Sequence, residues 1–270
     1  MNTIIEQDEG IFDVPEKEYH SSPGVSKSIL DHFQKSPKHY QYALGTPTEE
    51  TPAMKFGSLA HCVLLEPNRL SEEYAVAPKV DRRTKAGKAE YAEFLAHSEG
   101  KVVVSEDDMF KANHMANAVR NNELANSLME QNGVNEKSIY SVCKETNIMK
   151  RGRLDRICED ANMIIDYKTT TDGSAKGFQS SIFKFNYHKQ AAYYIDLARE
   201  QGLDINRFVF VVCEKEAPYA VSVFELDEEC IELGRAQYQK DLRKLDECIN
   251  TDEWPSYSTD VIKVTLPSWM

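Results

Sequence analysis

The strongest fold signal in this chain lies in two short segments: residues 152–156 read Gly-Arg-Leu-Asp-Arg, and residues 164–170 read Ile-Ile-Asp-Tyr-Lys-Thr-Thr. Asp166 and Lys168 are two positions apart on a predicted strand, so their side chains point to the same face. Asp155 belongs to the preceding predicted strand. If the two strands pair as a hairpin, Asp155 and Asp166 come close together.

Two carboxylates on adjacent strands repel each other unless positive charge lies between them. Mg²⁺ and Mn²⁺ accept such oxygen ligands, and a divalent cation offsets the negative charge that develops on a phosphate during hydrolysis. A nearby lysine can orient or deprotonate water and stabilise the same charge. Asp155, Asp166 and the backbone carbonyl of Tyr167 are therefore candidate metal ligands, and Lys168 is the candidate catalytic amine.

The alternative interpretation is an Asp–Lys ion pair on a surface strand, because Asp-x-Lys triplets are common. Asp166, however, follows the apolar run at residues 163–165. Charges at the end of a buried strand are usually paired or metal-bound. The position of Asp166 in the sequence therefore favours a functional site.

Hydrophobic periodicity predicts both strands and helices along the chain, and the motif lies on two of the strands. Strands are predicted at residues 138–143, 148–158, 163–167, 207–213 and 219–226, and helices at 27–33, 37–44, 53–65, 105–131, 186–201 and 227–249. This order predicts an α/β (α+β) fold with a mixed central sheet flanked by helices. We expect one domain over residues 1–270, with a mainly helical part at 1–130, the catalytic sheet and helices at 131–250, and a C-terminal tail at 251–270.

The composition is that of a globular protein, with 41% hydrophobic and 28% charged residues. The sequence contains neither an apolar run long enough for a membrane span nor a secretory signal at its start, so we expect a cytoplasmic protein with no membrane partner. Six scattered cysteines form no Cys-x-x-Cys pair. We expect them to be small core residues rather than ligands of an iron–sulfur cluster.

The formal net charge of −12 argues against nucleic-acid binding. Clustered carboxylates that hold metal ions contribute to that charge until the metal binds. The strongest basic stretch contains Arg82, Arg83, Lys85 and Lys88. We expect these four cations to contact DNA phosphates, and an exposed, solvated loop is the alternative.

The sequence pattern of residues 152–170 resembles that of PD-(D/E)XK nucleases. More narrowly, the chain resembles the exonuclease VIII (RecE) nuclease-domain family of phage and prophage recombination systems. Weaker matching fragments follow in a shared order at residues 19–20, 23–28, 57–62, 82–88, 187–190 and 250–255.

This resemblance implies a restriction-endonuclease-like core and a Mg²⁺-dependent enzyme in which Mn²⁺ can substitute. It further implies 5′-to-3′ digestion of linear double-stranded DNA that leaves 3′ single-stranded overhangs for recombination by strand annealing. The implied partners are a RecT-like annealing protein and further copies of the chain in a closed ring, with a tetramer favoured. The alternatives are a PD-(D/E)XK nuclease specific for single strands or structured DNA, and a non-catalytic DNA-binding module.

The resemblance adds four candidate site residues. His61 matches a metal-binding histidine on an early helix, and Glu136 matches an acidic position that completes such sites. Gln190 and Tyr194 match a Gln-xxx-Tyr motif, and their spacing of four residues puts them on one helix face. The alternatives are a half-buried core histidine at position 61, an exposed glutamate before the first strand at 136, and core packing by the neighbouring tyrosines. Residues 169–171 either cap a turn or contact phosphate.

Overall fold

A computed structural model describes residues 8–46, 50–258 and 260–266. Parts of the predicted N-terminal and C-terminal segments, residues 1–7 and 267–270, lie outside the described residues. The strands are β1 (Gly10–Phe12), β2 (Tyr74–Val76), β3 (Val102–Val104), β4 (Val134–Val142), β5 (Met149–Cys158), β6 (Met163–Thr170), β7 (Arg207–Glu214) and β8 (Val221–Glu225).

The helices surround the strands in sequence and in space. They are α1 (Glu16–Ser21), α2 (Lys27–Leu30), α3 (Pro37–Gly45), α4 (Pro52–Leu65), α5 (Leu70–Glu73), α6 (Lys85–His97), α7 (Glu106–Asn121), α8 (Glu123–Met129), α9 (Ala175–Lys184), α10 (Tyr187–Glu200) and α11 (Glu228–Thr251). Short 3₁₀ turns cover Asp31–Gln34, Pro67–Arg69 and Glu159–Ala161. No helix of the described residues is long and apolar enough to cross a bilayer.

A six-stranded mixed sheet forms the centre, in the order β1-β4-β5-β6-β7-β8. Neighbouring strands are antiparallel except for β6 and β7, which are parallel and are connected through α9 and α10. A separate pair, β2 and β3, is parallel. The predicted mixed sheet flanked by helices is confirmed.

The sheet separates two hydrophobic cores, and β6 contributes to both. Ile164 packs with α10 and α11 on one face, whereas Ile165 and Tyr167 pack with α4 and α7 on the other. This alternation follows from the two-residue period of a strand. Asp166 therefore faces α10, and it is fully buried.

Several predicted elements need correction. The helix predicted at residues 105–131 is two helices, because the side chain of Asn122 caps α8 through the backbone N–H of Ala125. Helix α9 was not predicted from the sequence, since Gly177 and several serines lower its helix propensity. It forms because Ser174 caps its first turn and because Phe178 and Ile182, four residues apart, are buried on one face.

Candidate metal and catalytic site

The hairpin of β5 and β6 brings the motif residues together, as predicted. Backbone pairing runs from Cys158–Met163 to Arg156–Ile165 and then ends. The next opposed residues are Asp155 and Asp166. Where the ladder ends, Oδ2 of Asp155 accepts a hydrogen bond of 2.8 Å from the backbone N–H of Tyr167. The Asp155 carboxylate thus lies in the gap between the two strands.

Three side chains from distant parts of the chain meet at this gap. Nδ1 of His61, on α4, lies 3.3 Å from Oδ2 of Asp155 and 3.8 Å from Oε1 of Glu136. Ligand atoms of His61, Glu136 and Asp155 all lie within 4.8 Å of one another. Two carboxylates and one imidazole are a donor set that suits a divalent cation such as Mn²⁺ or Mg²⁺. The side chains present therefore fit a metal centre.

Glu136 is not the exposed residue before the first strand that the sequence allowed. Strand β4 begins at Val134, and Glu136 is only 8% exposed. Its φ of 53° interrupts the pairing of β4 with β5 between Asn135–Arg156 and Lys137–Leu154, opposite Asp155. A left-handed backbone at a non-glycine residue costs on the order of 1–3 kcal/mol and is concentrated at functional sites.

Arg153 orients the Glu136 carboxylate. Its Nε donates to Oε2 of Glu136 at 2.7 Å, which leaves Oε1 facing His61. Its guanidinium also contacts Oε2 of Glu66 at 3.3 Å and the carbonyl of Val14. The sequence motif includes Arg153, but sequence reasoning assigned it no role. Arg153 lies two residues before Asp155 in the motif, and this spacing is the signal that could have identified its role.

Asp166, Lys168 and Gln190 form a second, adjoining group. Nζ of Lys168 lies 2.6 Å from Oδ2 of Asp166, and Nε2 of Gln190 donates to Oδ1 of Asp166 at 2.8 Å. Burial raises the pKa of Asp166 to about 6, against the opposing effect of the Lys168 charge. Burial disfavours the charged form of Lys168, but the carboxylates of Asp166 and Asp155 outweigh it and raise the pKa of the lysine.

The remaining predicted site residues lie around this group. Tyr194 lines the same cavity, and its ring packs so closely on Gly152 that a Cβ there would lie 3.0 Å from it. Tyr193 is a core residue, as expected, and its hydroxyl donates to the carbonyl of Val25 at 2.5 Å. The N–H and C=O of a strand residue face the same side, so the Tyr167 carbonyl faces the gap that Asp155 occupies. Its role as a ligand stays a prediction.

A cavity of about 340 Å³ opens onto the His61, Glu136 and Asp155 group, while Asp166 and Lys168 lie behind its lining. Its lining includes His61, Glu136, Asp155, Gln190 and Tyr194. The cavity therefore gives a phosphodiester access to the carboxylates and to the Gln-xxx-Tyr pair.

The basic stretch is exposed and, as its sequence predicts, is a loop that leads into a helix. Lys85 and Lys88 lie in the first turn of α6, where Thr84 is the cap. Arg83 contacts Asp81 at 3.0 Å, and the Arg82 guanidinium lies 4.7 Å from the centre of the Tyr91 ring. Cations at a helix N-terminus are unfavourable for the helix dipole, so helix stability does not explain this placement.

The cysteines are free in the structure. Cys62, Cys158, Cys213 and Cys248 are buried, whereas Cys143 and Cys230 are half-buried. Burial raises the pKa of Cys62 to about 12 and that of Cys213 to about 11. The prediction that these thiols are core residues is confirmed for the four buried ones.

Together, the interrupted hairpin, the buried Asp-x-Lys pair and the mixed sheet define a PD-(D/E)XK-like domain. Residues 26–264 match the family described as PDDEXK-like domain of unknown function (DUF3799). The chain belongs to that family, and the predicted PD-(D/E)XK relationship is confirmed.

Two solved structures are similar to this chain to different degrees. A proposed exonuclease from Eubacterium rectale shares the fold, with a TM-score of 0.61 at 10% identity, over 95% of this chain and 97% of that one. A phage-related exonuclease from Haemophilus somnus has a TM-score of 0.33 at 14% identity, over 65% of this chain and 91% of that one. No curated protein matches the sequence significantly.

Metal binding should strengthen as the pH rises from 7 to 9. Burial lowers the pKa of His61, but the Asp155 and Glu136 carboxylates outweigh it and raise that pKa to about 9. The metal-free site thus holds a proton at neutral pH, and a cation must displace it. Calorimetry with Mn²⁺ should show affinity rising roughly tenfold per pH unit below 9.

His61→Asn is the matched variant for this measurement. It should bind Mn²⁺ more weakly and lose most of the pH dependence between 7 and 9, and high Mn²⁺ should partly restore its activity. If His61→Asn instead lowers thermal stability and leaves both metal affinity and its pH dependence unchanged, His61 is a core residue.

Proposed function

We propose that this protein is a metal-dependent deoxyribonuclease. The observation that carries the proposal is the convergence of His61, Glu136 and Asp155 within 4.8 Å, beside a buried Asp166–Lys168 pair at 2.6 Å. With Asp166, these side chains would hold Mg²⁺, for which Mn²⁺ can substitute. The cation would supply positive charge that polarises the phosphodiester and offsets the charge developing on it.

The chain's own residues have separate parts in this chemistry. Gln190 holds Oδ1 of Asp166, which leaves Oδ2 toward Lys168. The raised pKa of Lys168 supports an ammonium group that orients water and stabilises negative charge on the phosphate. Arg153 keeps Glu136 in place, so the acidic side chains are oriented before substrate binds.

We further propose that the substrate is linear double-stranded DNA, digested from 5′ ends to leave 3′ single-stranded overhangs. The resemblance to exonuclease VIII supports this direction. The test uses duplexes labelled at one 5′ or one 3′ end, together with a covalently closed circle, in Mg²⁺ and in Mn²⁺. Release of the 5′ label first, with the circle intact, is expected.

Two other results would assign a different function. Rapid cutting of the closed circle would identify an endonuclease of the same superfamily. Binding of duplex without cleavage in either metal would identify a DNA-binding module.

The basic segment at residues 82–88 is proposed as a duplex contact. Replacing Arg82, Arg83 and Lys85 by glutamine should weaken duplex binding and flatten its salt dependence. The slope of log K against log salt should become less negative by up to about 3, since each phosphate contact contributes about 0.9. Fluorescence anisotropy in EDTA at several salt concentrations measures this slope.

The control for the basic segment replaces three exposed lysines elsewhere, Lys101, Lys144 and Lys263, by glutamine. This variant should retain the wild-type slope. If both variants give the same slope, residues 82–88 do not contact the duplex.

We also propose a closed homo-oligomeric ring, with four copies favoured, that hands its product strand to a RecT-like annealing protein. A ring around the duplex would keep the enzyme on one strand without tight binding at any point, and would let an acidic exterior surround a basic channel. Head-to-tail contacts close into rings when the rotation allows. Light scattering should give the mass of a closed oligomer, and a monomer at working concentration would exclude the ring.

A further inference from the structure

A second depression lies beyond the end of β6 and is called here the β6 groove. It has a volume of about 890 Å³ and is formed mainly by residues 169–187, with Ala53 and Met54 of α4 and Lys215 completing its walls. Hydroxyl groups are prominent in its lining, from Thr169, Thr170, Thr171, Ser174, Ser180 and Ser181. These groups can donate hydrogen bonds to phosphate oxygens.

The charge of the β6 groove is opposite to that of the whole chain. Lys176, Lys184 and Lys215 line it, and none of the three has a carboxylate within 4.0 Å in the described part of the chain. Among the described residues of the lining, Asp172 is the one acidic residue, and its Oδ1 accepts a hydrogen bond of 2.9 Å from the backbone N–H of Ser174. Three unpaired lysines around one groove, in a chain of net charge −12, indicate an anionic ligand.

An aromatic side chain adds a second kind of contact. Phe185 lines the groove and is 48% exposed, so its ring is accessible from the groove. Nζ of Lys184 lies 5.2 Å from the centre of its ring. Cationic grooves with exposed aromatic rings are the common arrangement for binding single-stranded nucleic acid, because unpaired bases stack on the rings. A duplex hides its base faces and cannot use Phe185 in this way.

The β6 groove adjoins the catalytic group. Thr169 and Thr170 directly follow Lys168 on β6, and the Tyr187 ring, which lines the groove, lies 4.9 Å from Nζ of Lys168. Lys27 lines the metal cavity and donates a hydrogen bond of 2.9 Å to the carbonyl of Phe185. A strand held in the groove would therefore lie next to Lys168.

We propose that the β6 groove binds the single-stranded DNA segment that adjoins the phosphodiester under attack. The lysines and hydroxyls contact the backbone, and the Phe185 ring stacks on a base. This inference rests on the proposed function for the identity of the strand, while the groove itself is testable without cleavage.

The test measures binding of a fluorescein-labelled oligothymidylate of about 12 nucleotides to the full chain in EDTA, at several salt concentrations. Replacing Lys176, Lys184 and Lys215 by glutamine should weaken binding by about tenfold or more. It should also make the salt slope less negative by up to about 2, at about 0.7 per contact on single strands. Phe185→Ala should weaken binding with an unchanged slope. The Lys101, Lys144 and Lys263 variant is the control.

The outcomes separate the two proposals. If the groove variant binds the oligonucleotide like the control, or if the wild-type protein does not bind it, the groove proposal is wrong. Duplex cleavage by the same wild-type preparation judges the nuclease proposal independently. If the wild-type protein binds the oligonucleotide through the groove but cleaves no DNA, the groove proposal is supported and the nuclease proposal is wrong.

Discussion

Replacing Asp166 by asparagine should reduce DNA cleavage by about a thousandfold or more while the protein stays folded. The asparagine side chain would keep the volume of the fully buried aspartate and an oxygen to accept the Gln190 hydrogen bond. The substitution removes a negative charge that burial already disfavours, as the pKa of about 6 shows, and it replaces the Oδ2 that faces Lys168 by an amide N–H group, so some loss of thermal stability accompanies it. The loss is therefore expected in metal binding and turnover. Rates from labelled linear duplex, Mn²⁺ calorimetry and thermal melting measure the three quantities.

Asp155→Asn should behave in the same way, because its side chain can still accept from the Tyr167 N–H. Asp160→Asn is the matched control, since Asp160 is an exposed carboxylate in the turn of the same hairpin. The control should cleave at the wild-type rate. Cleavage by Asp166→Asn within tenfold of wild type would remove Asp166 from the catalytic centre.

Lys168→Met should lower turnover by about 10²–10⁴-fold and leave Mn²⁺ affinity equal to or above that of the wild-type protein. Nζ of Lys168 lies 2.6 Å from Oδ2 of Asp166, so the ammonium group competes with a cation for that carboxylate. Removing the ammonium group therefore removes a catalytic group but no metal ligand. Loss of the ammonium charge raises the pKa of Asp166 further above about 6, so the Mn²⁺ affinities of both proteins are compared at several pH values between 7 and 9.

Lys150→Met provides the control for burial. Lys150 is 1% exposed and pairs with Glu200 at 2.7 Å, away from the metal cavity. Its loss should reduce stability, since it leaves a carboxylate without its partner, but should not change turnover per folded molecule. If Lys168→Met retains the wild-type turnover, the proposed role of the lysine is wrong.

The fold and the site were predictable to different degrees. Alternating apolar residues and turn signals located β5, β6 and β7 within a few residues, because strand periodicity is a local property. The same period places Asp166 and Lys168 on one face. Short elements such as β2 and β3, with three residues each, were missed because they form only where a partner strand lies beside them.

Local sequence patterns were sufficient to predict the hairpin, the order of Asp155, Asp166 and Lys168 along it, and the face that the last two share. The other residues of the centre are brought in by the packing of distant elements. His61 comes from a helix far earlier in the chain, and its place beside Asp155 depends on how α4 packs against the sheet. Glu136 faces the site because its backbone adopts φ 53° and Arg153 holds its carboxylate. Hydrogen-bond spacing along a strand is set by neighbouring residues, whereas the meeting of side chains across a core is set by the packing of the whole domain.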